Sequence, residues 1–116
     1  MAQDSVLPHE TLVAYQVACE LLVAIRDADI DDSGLREQAL RSAKSACLNI
    51  AEASGRESSA DQKRVYAIAR GEASEATAAI QIAALAGDCR RESGEKATAS
   101  GRRLYGLLTG LIRRPP

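Results

Sequence analysis

The sequence has almost no aromatic side chains. Its 116 residues include no Trp, no Phe and only three Tyr, whereas Ala occurs 22 times. Ala favours helices but buries little area, and aromatic and branched side chains normally supply most of the burial in a core. A monomer built from these residues has a thin core. We therefore expect close helix approach through Ala, burial against further copies of the chain, or both.

The sequence also has little that suggests catalysis or metal binding. His9 is its only His, and Cys19, Cys47 and Cys89 are odd in number and lack the spacing of a metal site. No phosphate-binding loop or activated nucleophile is visible. We expect no catalytic residues, no metal and no cofactor. Cys19 and Cys47 fall at apolar-face positions and are predicted to be small core residues in a reducing compartment.

Signals for export or membrane insertion are missing as well. The N-terminal segment is acidic, whereas a signal peptide begins with a basic region. No apolar run approaches the roughly 20 residues of a membrane span. These two features predict a cytoplasmic protein without a membrane partner.

Strand patterns are absent, and helical periodicity takes their place. Val, Ile, Thr and aromatic residues never cluster at a period of two, whereas apolar residues recur at three-to-four spacing. The sequence predicts helices at about residues 8–28, 34–54, 58–86 and 93–113. Short connections favour antiparallel neighbours. The predicted fold class is all-α: one domain over residues 1–116 that forms an antiparallel up-down-up-down four-helix bundle.

Local signals predict where these helices begin and end. Pro8 suits the first turn of the first helix, since its missing N–H costs nothing there. Ser59 with Gln62 forms a capping box that starts the third helix at Ser58 or Ser59, and Gly55 ends the second helix in the left-handed conformation. Three glycines weaken the fourth helix by about 1 kcal/mol each unless they permit close packing: Gly101, Gly106 and Gly110.

Charge is unevenly distributed along the chain. Residues 1–40 carry eight acidic and two basic side chains, for a net charge of −6, whereas residues 89–116 carry seven basic and two acidic ones, for +5. Three interpretations fit: solvated helix faces, an acidic face that meets a basic face of a neighbour, or a basic end that meets nucleic acid. The candidates for nucleic-acid contact are arginines near the C-terminus: Arg102, Arg103, Arg113 and Arg114.

Polar side chains mark the end of the second helix and the front half of the third. Asn49 and Glu52 are three residues apart and share a face. An antiparallel hairpin would bring them and Arg56 near Arg64 and Glu75, so we predict one polar cluster at one end of the bundle. Three interpretations are open: residues that tie the hairpin to its loop, residues at a subunit contact, and a nucleic-acid or ligand site.

These segments resemble a known family. Leu12–Ala18, Asn49–Glu52 and Ala69–Glu75 are similar, in order and spacing, to motifs of the four-helix-bundle family that includes the 23S rRNA intervening-sequence proteins and the accessory proteins of diversity-generating retroelements. The chain departs from the family pattern at Ala53, where Gly is usual, and at Glu72, where Ser is frequent.

The resemblance implies an antiparallel four-helix bundle that assembles as a ring-like homopentamer. The retroelement accessory proteins bind nucleic acid and a reverse transcriptase through a strongly basic surface, which a pI near 5.8 does not match. Our first hypothesis is a non-enzymatic, homo-oligomeric scaffold or adaptor, pentameric by resemblance, that acts with a protein partner. The alternative is a nucleic-acid-binding accessory protein that acts with RNA or a reverse transcriptase through the C-terminal arginines; DNA is a further possible partner.

Overall fold

The fold is an antiparallel bundle of four helices, α1 (Val13–Ala28), α2 (Ser33–Ser54), α3 (Ser59–Leu85) and α4 (Arg91–Ile112). The computed structural model describes residues 5–116, so Asp4, which contributes to the N-terminal acidic charge, lies outside the described residues. Each helix packs against the next one along the chain, and α4 packs back against α1. The predicted all-α, up-down-up-down bundle is confirmed.

The start of α1 differs from its prediction. Pro8 lies outside the helix, in a pair of tight turns in which Glu10 N donates to Leu7 O at 3.1 Å and Leu12 N donates to His9 O at 3.0 Å. The Glu10 carboxylate also accepts from Leu7 N at 2.8 Å. These local bonds give residues 7–12 an alternative to the helix, so α1 begins at Val13.

Side-chain caps fix the starts of α2 and α3. Asp32 accepts from Leu35 N at 2.8 Å, and Ser58 accepts from Asp61 N at 3.1 Å. Each bond satisfies one of the free N–H groups of a first helical turn. The predicted capping box of Ser59 with Gln62 is wrong, because Ser58 takes the cap position and Ser59 is the first residue of α3.

The helix ends also differ from the sequence prediction at Gly55. This residue has φ −90° and ψ −5°, an ordinary right-handed conformation. The left-handed residues of the described chain are Asp29, with φ 49°, and Gly87, with φ 82°. They follow α1 and α3 at the same end of the bundle, where Asp31 N donates to Asp88 O at 2.8 Å and joins the two turns.

The core is thin in large side chains, as the composition predicts. Its largest fully buried hydrophobic residues are few: Leu21, Ile25, Ile30, Ile50, Ile80, Leu104, Leu108, Val17 and Val65. Buried alanines fill most of the remaining positions between the helices. Cys47 belongs to this core, whereas Cys19 is half-buried against it.

Two glycines bring α4 close to α3. A Cβ added to Gly101 would lie 2.1 Å from Thr77 Oγ1, and one added to Gly94 would lie 2.7 Å from the Ala84 Cβ. Both separations are far below van der Waals contact, so a larger residue at either position would push the helices apart. The helical cost of these glycines is offset by the close packing they allow.

Candidate functional site

The first candidate site is the polar network at the α2–α3 turn. Arg56 forms ion pairs with Glu52, one helical turn earlier, and with Asp61 at 3.2 Å. Asp61 also accepts from Arg64 at 2.9 Å. The Glu52 and Asp61 carboxylates raise the pKa of the Arg56 guanidinium. The network therefore links the last turn of α2 to the first turn of α3 across the connecting loop.

The other two residues of the predicted polar cluster lie outside this network. Asn49 donates to Ser45 O at 2.9 Å within its own helix, and Glu75 accepts from Gln38 at 2.9 Å. Glu75 follows Asp61 by 14 residues, which is about 21 Å along a helix. The prediction of one cluster of five residues is therefore wrong, because the length of α3 carries Glu75 away from the turn.

Sequence reasoning missed Asp61, the residue through which the network passes. It lies three residues before Arg64 and three after Ser58, so helical spacing alone offered a signal for both contacts. Its position in the first turn of α3 also suits a carboxylate, because the positive end of the helix dipole lies there.

Glu72 is placed differently from the other acidic side chains. Its Oε2 atom is buried and has no hydrogen-bond partner within residues 5–116, and the same is true of Ser42 Oγ on α2. Glu72 is also one of the two positions at which the sequence departs from the pattern of the family it resembles. A buried carboxylate oxygen without a donor is costly, so this side chain is expected to lower the stability of the fold.

The four C-terminal arginines do not form one patch. Arg102 lies on α4 in a groove against α3, whereas Arg114 lies beyond the end of α4 and beside the residues that precede α1. Arg102 and Arg113 are separated by 11 residues, about 16 Å of helix. All four side chains are exposed.

The groove between α3 and α4 was not predicted. Gln81 and Arg102 lie on opposite sides of it and line both of its halves. Leu85, which is 90% exposed, borders one half, and Tyr105, which is 46% exposed, borders the other. Next to Tyr105, the Arg70 guanidinium carbon lies 5.1 Å from the ring centroid, and Arg70 donates to Thr109 at 3.0 Å.

One face of α3 beside this groove carries no charge. Six exposed positions follow one another at three-to-four spacing along the helix: Ala67, Gly71, Ser74, Ala78, Gln81 and Leu85. The exposed face of a surface helix is normally charged or strongly polar, as on α2, where Glu37, Arg41 and Lys44 are exposed. We call these six residues the uncharged α3 face. Their regular spacing was the signal that sequence reasoning could have used.

The described side chains that could ligate a metal ion are dispersed over the bundle. Within residues 5–116, no three His, Cys, Asp or Glu side chains come together in a way that would hold a metal ion. None of the described helices is long and apolar enough to cross a membrane.

The family model of the 23S rRNA-intervening sequence protein matches residues 10–110. The chain belongs to this family. The match covers nearly all of the chain, including the whole of α1, α2 and α3, and it confirms the resemblance seen in the sequence. Arg113 and Arg114 lie outside the matched segment. The chain has no significant match among curated proteins.

Proposed function

We propose that this protein is a non-enzymatic, homo-oligomeric scaffold or adaptor. The observation that carries the proposal is the uncharged α3 face. The long helix α3 exposes Ala67, Gly71, Ser74 and Ala78 to water in succession, where charged residues would favour the solubility of a monomer. Small side chains allow a second helix to approach closely.

The occupant that fits this face is a second copy of the chain. The described core buries few large side chains, so association would add the burial that a single chain lacks. Leu85 and Tyr105 are large apolar groups at the edge of the same surface, and each would be removed from water by such a contact. The family resemblance supports a ring of five copies.

The first experiment is size-exclusion chromatography with light scattering. We expect a particle of five times the 12.3 kDa chain mass. Ala78→Arg places a long cation on the uncharged α3 face and is expected to release monomers. Gln16→Arg adds the same side chain to an exposed position of α1 and serves as the matched control, with its mass unchanged. A wild-type protein that remains a monomer at all concentrations would overturn the proposal.

A second candidate function is nucleic-acid binding, and one observation favours it. Every other arginine of the chain forms an ion pair or a hydrogen bond within residues 5–116. The four C-terminal ones form none there: Arg102, Arg103, Arg113 and Arg114. Guanidinium groups without acidic partners are free to contact phosphates, which supply most of the non-specific affinity for nucleic acid.

Two double variants, one within α4 and one at its start, test this alternative. Arg102→Ala with Arg103→Ala is expected to weaken binding to a labelled single-stranded RNA and to flatten its salt dependence, because two phosphate contacts are lost. Arg90→Ala with Arg91→Ala removes the same charge from arginines that pair with Glu92 and Glu95, and it should change binding less. Equal affinity of both double variants and the wild type would reject the nucleic-acid function.

A further inference from the structure

The segment that precedes α1 exposes two large apolar side chains next to each other. We call residues 5–12 the N-terminal arm. Val6 is 68% exposed and Leu7 is 54% exposed. Local hydrogen bonds shape the arm at this point, since the Glu10 carboxylate accepts from Leu7 N at 2.8 Å and Leu7 O accepts from Glu10 N at 3.1 Å. The arm therefore presents both apolar side chains to water on a turn that its own bonds hold.

The groove between α3 and α4 is a second surface with apolar atoms in contact with water. The half of it that Leu85 borders has a volume of about 530 Å³, within the range of pockets that hold small ligands. Ala84 and Ala99 also line this half, one from each helix. Leu85 is the most exposed large apolar residue among residues 5–116. Large apolar groups that remain in water mark a surface for association.

The arm and the groove carry opposite charge. The arm and the residues before it contain Asp4 and Glu10 and no Lys or Arg. In the groove, Arg91 pairs with Glu95 at 3.0 Å, and this leaves Arg102 as the cation that no carboxylate neutralises within residues 5–116. The Glu10 side chain is exposed, and a carboxylate that accepts one bond has lone pairs left for a guanidinium. Such complementarity favours this pairing over others.

The arm does not occupy the groove of its own chain. Thr11 lies against α4 beside Leu111 and Arg114, near the end of that helix, whereas Ala99 lies in its first half. The 12 residues from Ala99 to Leu111 span about 18 Å of helix, and the exposure of Val6 shows that the arm turns outward. An arm in this conformation reaches a groove only on a second copy.

We propose that the N-terminal arm of one copy binds the groove between α3 and α4 of the next copy, where Val6 and Leu7 pack against Leu85 and Glu10 pairs with Arg102. This inference rests on the proposed homo-oligomer and specifies its contact, because the groove adjoins the uncharged α3 face. Arm and groove are different surfaces, so the contact is heterologous and repeats head to tail until a ring closes. Uncharged α3 faces that met only each other would stop at a dimer.

The first test compares the masses of full-length variants by light scattering. Val6→Ser with Leu7→Ser removes the apolar part of the arm, and Ala99→Arg fills the groove. Each change is expected to abolish the five-copy particle without loss of helix content by circular dichroism, since all three side chains are exposed. Leu48→Ser is the matched control, because it removes a leucine that is 71% exposed on α2, outside the arm and the groove. Its mass should equal that of the wild type.

A mixture of the two defective variants tests whether the surfaces are complementary. The arm variant keeps an intact groove, and Ala99→Arg keeps an intact arm, so the mixture holds one functional pair for every two chains. We expect a particle of twice the 12.3 kDa chain mass, which neither variant forms alone. A mixture that remains monomeric would overturn the head-to-tail pairing.

Charge reversal on α4 tests the ionic part of the contact. Arg102→Glu should lower the mass of the particle at low salt, and its difference from the wild type should shrink at high salt. Arg103→Glu, at an exposed neighbour that does not line the groove, should keep the wild-type mass. An oligomeric arm variant with the mass of the wild type would overturn this inference and leave the proposed homo-oligomer standing, whereas a monomeric wild type would reject both.

Discussion

Gly101 and Gly106 both lie within α4, but their effects on stability differ. Gly101 meets the Thr77 side chain at distances that no Cβ tolerates, whereas nothing lies within 4 Å of a Cβ added to Gly106. Gly101 therefore allows α4 to pack closely against α3. Gly106 destabilises the helix relative to alanine, and no neighbour in the described chain comes close enough to require a glycine there.

The two glycines provide a matched pair of variants. Gly101→Ala is expected to lower the free energy of unfolding by about 1–2 kcal/mol, because overpacking outweighs the gain in helix propensity. Gly106→Ala is expected to raise it by up to about 1 kcal/mol. Urea denaturation followed by circular dichroism measures both.

Thr77 supplies the control for this prediction. Thr77→Ala removes the two nearest atoms that a Cβ at Gly101 would strike, Oγ1 at 2.1 Å and Cγ2 at 2.9 Å, and leaves only the Thr77 Cβ at 3.0 Å. The cost of Gly101→Ala should therefore be smaller in that background. An equal loss of stability in both backgrounds would show that the contact with Thr77 is not the cause.

At the scale of helices, the α2–α3 hairpin depends on a few ionic contacts across its loop. Asp61 connects Arg56, which belongs to the loop, to Arg64, which belongs to α3. Ser58 caps the same helix at the same end. Because both partners of each ion pair are at least partly exposed, their contribution is modest and sensitive to salt.

Asp61→Asn tests the network. We expect a small decrease in the thermal midpoint at low ionic strength and a smaller one at high salt, because screening already weakens the lost pairs. Glu57→Gln changes the same charge in the neighbouring loop, at an exposed side chain that has no ion pair within residues 5–116. Calorimetry at two salt concentrations compares them, and equal shifts for the two variants would argue against the network.

The helices also show where periodicity misleads. The spacing of α3 predicts an inward stripe that includes Ile68, Val65 and Ile80, yet Ile68 is 44% exposed while the other two are buried. A helix of 27 residues with small side chains on several faces has no single apolar stripe, so its orientation is set by its neighbours. Packing of α2 and α4 on either side of α3 leaves Ile68 at the edge.

At the scale of the whole molecule, folding gathers acidic residues from distant parts of the sequence at one end of the bundle. The α1–α2 turn contributes Asp29 and Asp31, and the α3–α4 turn adds Asp88, which bonds to Asp31 through the backbone. Arg113 and Arg114 lie at the opposite end, where α4 finishes. The charge asymmetry seen along the chain therefore becomes partly an end-to-end asymmetry of the folded protein.

Global stability should fall in alkaline solution because of Cys47. Its pKa rises from 9.0 in the unfolded reference to about 12 in the fold, so the folded state keeps a proton that the unfolded state loses between these values. The stabilisation is complete below about pH 9 and is lost as pH rises toward 12, at up to about 1.4 kcal/mol per pH unit.

Urea denaturation at several pH values between 8 and 11 measures this slope. Cys47→Ala should reduce it, whereas Cys89→Ala, at a thiol less deeply placed in the protein, should reduce it less. An unchanged slope in Cys47→Ala would mean that other groups cause the alkaline loss of stability.

The sequence by itself determined the helices, their order and the family, because spacing of apolar residues, short connections and local motifs are all encoded within a few neighbouring positions. It also indicated a thin core, since composition limits what can be buried. Only the tertiary structure decided which face of each helix is exposed. It separated Glu75 from Arg56 and assigned Gly101 to close packing. These outcomes depend on the length and rotation of packed helices, which contacts between distant residues set.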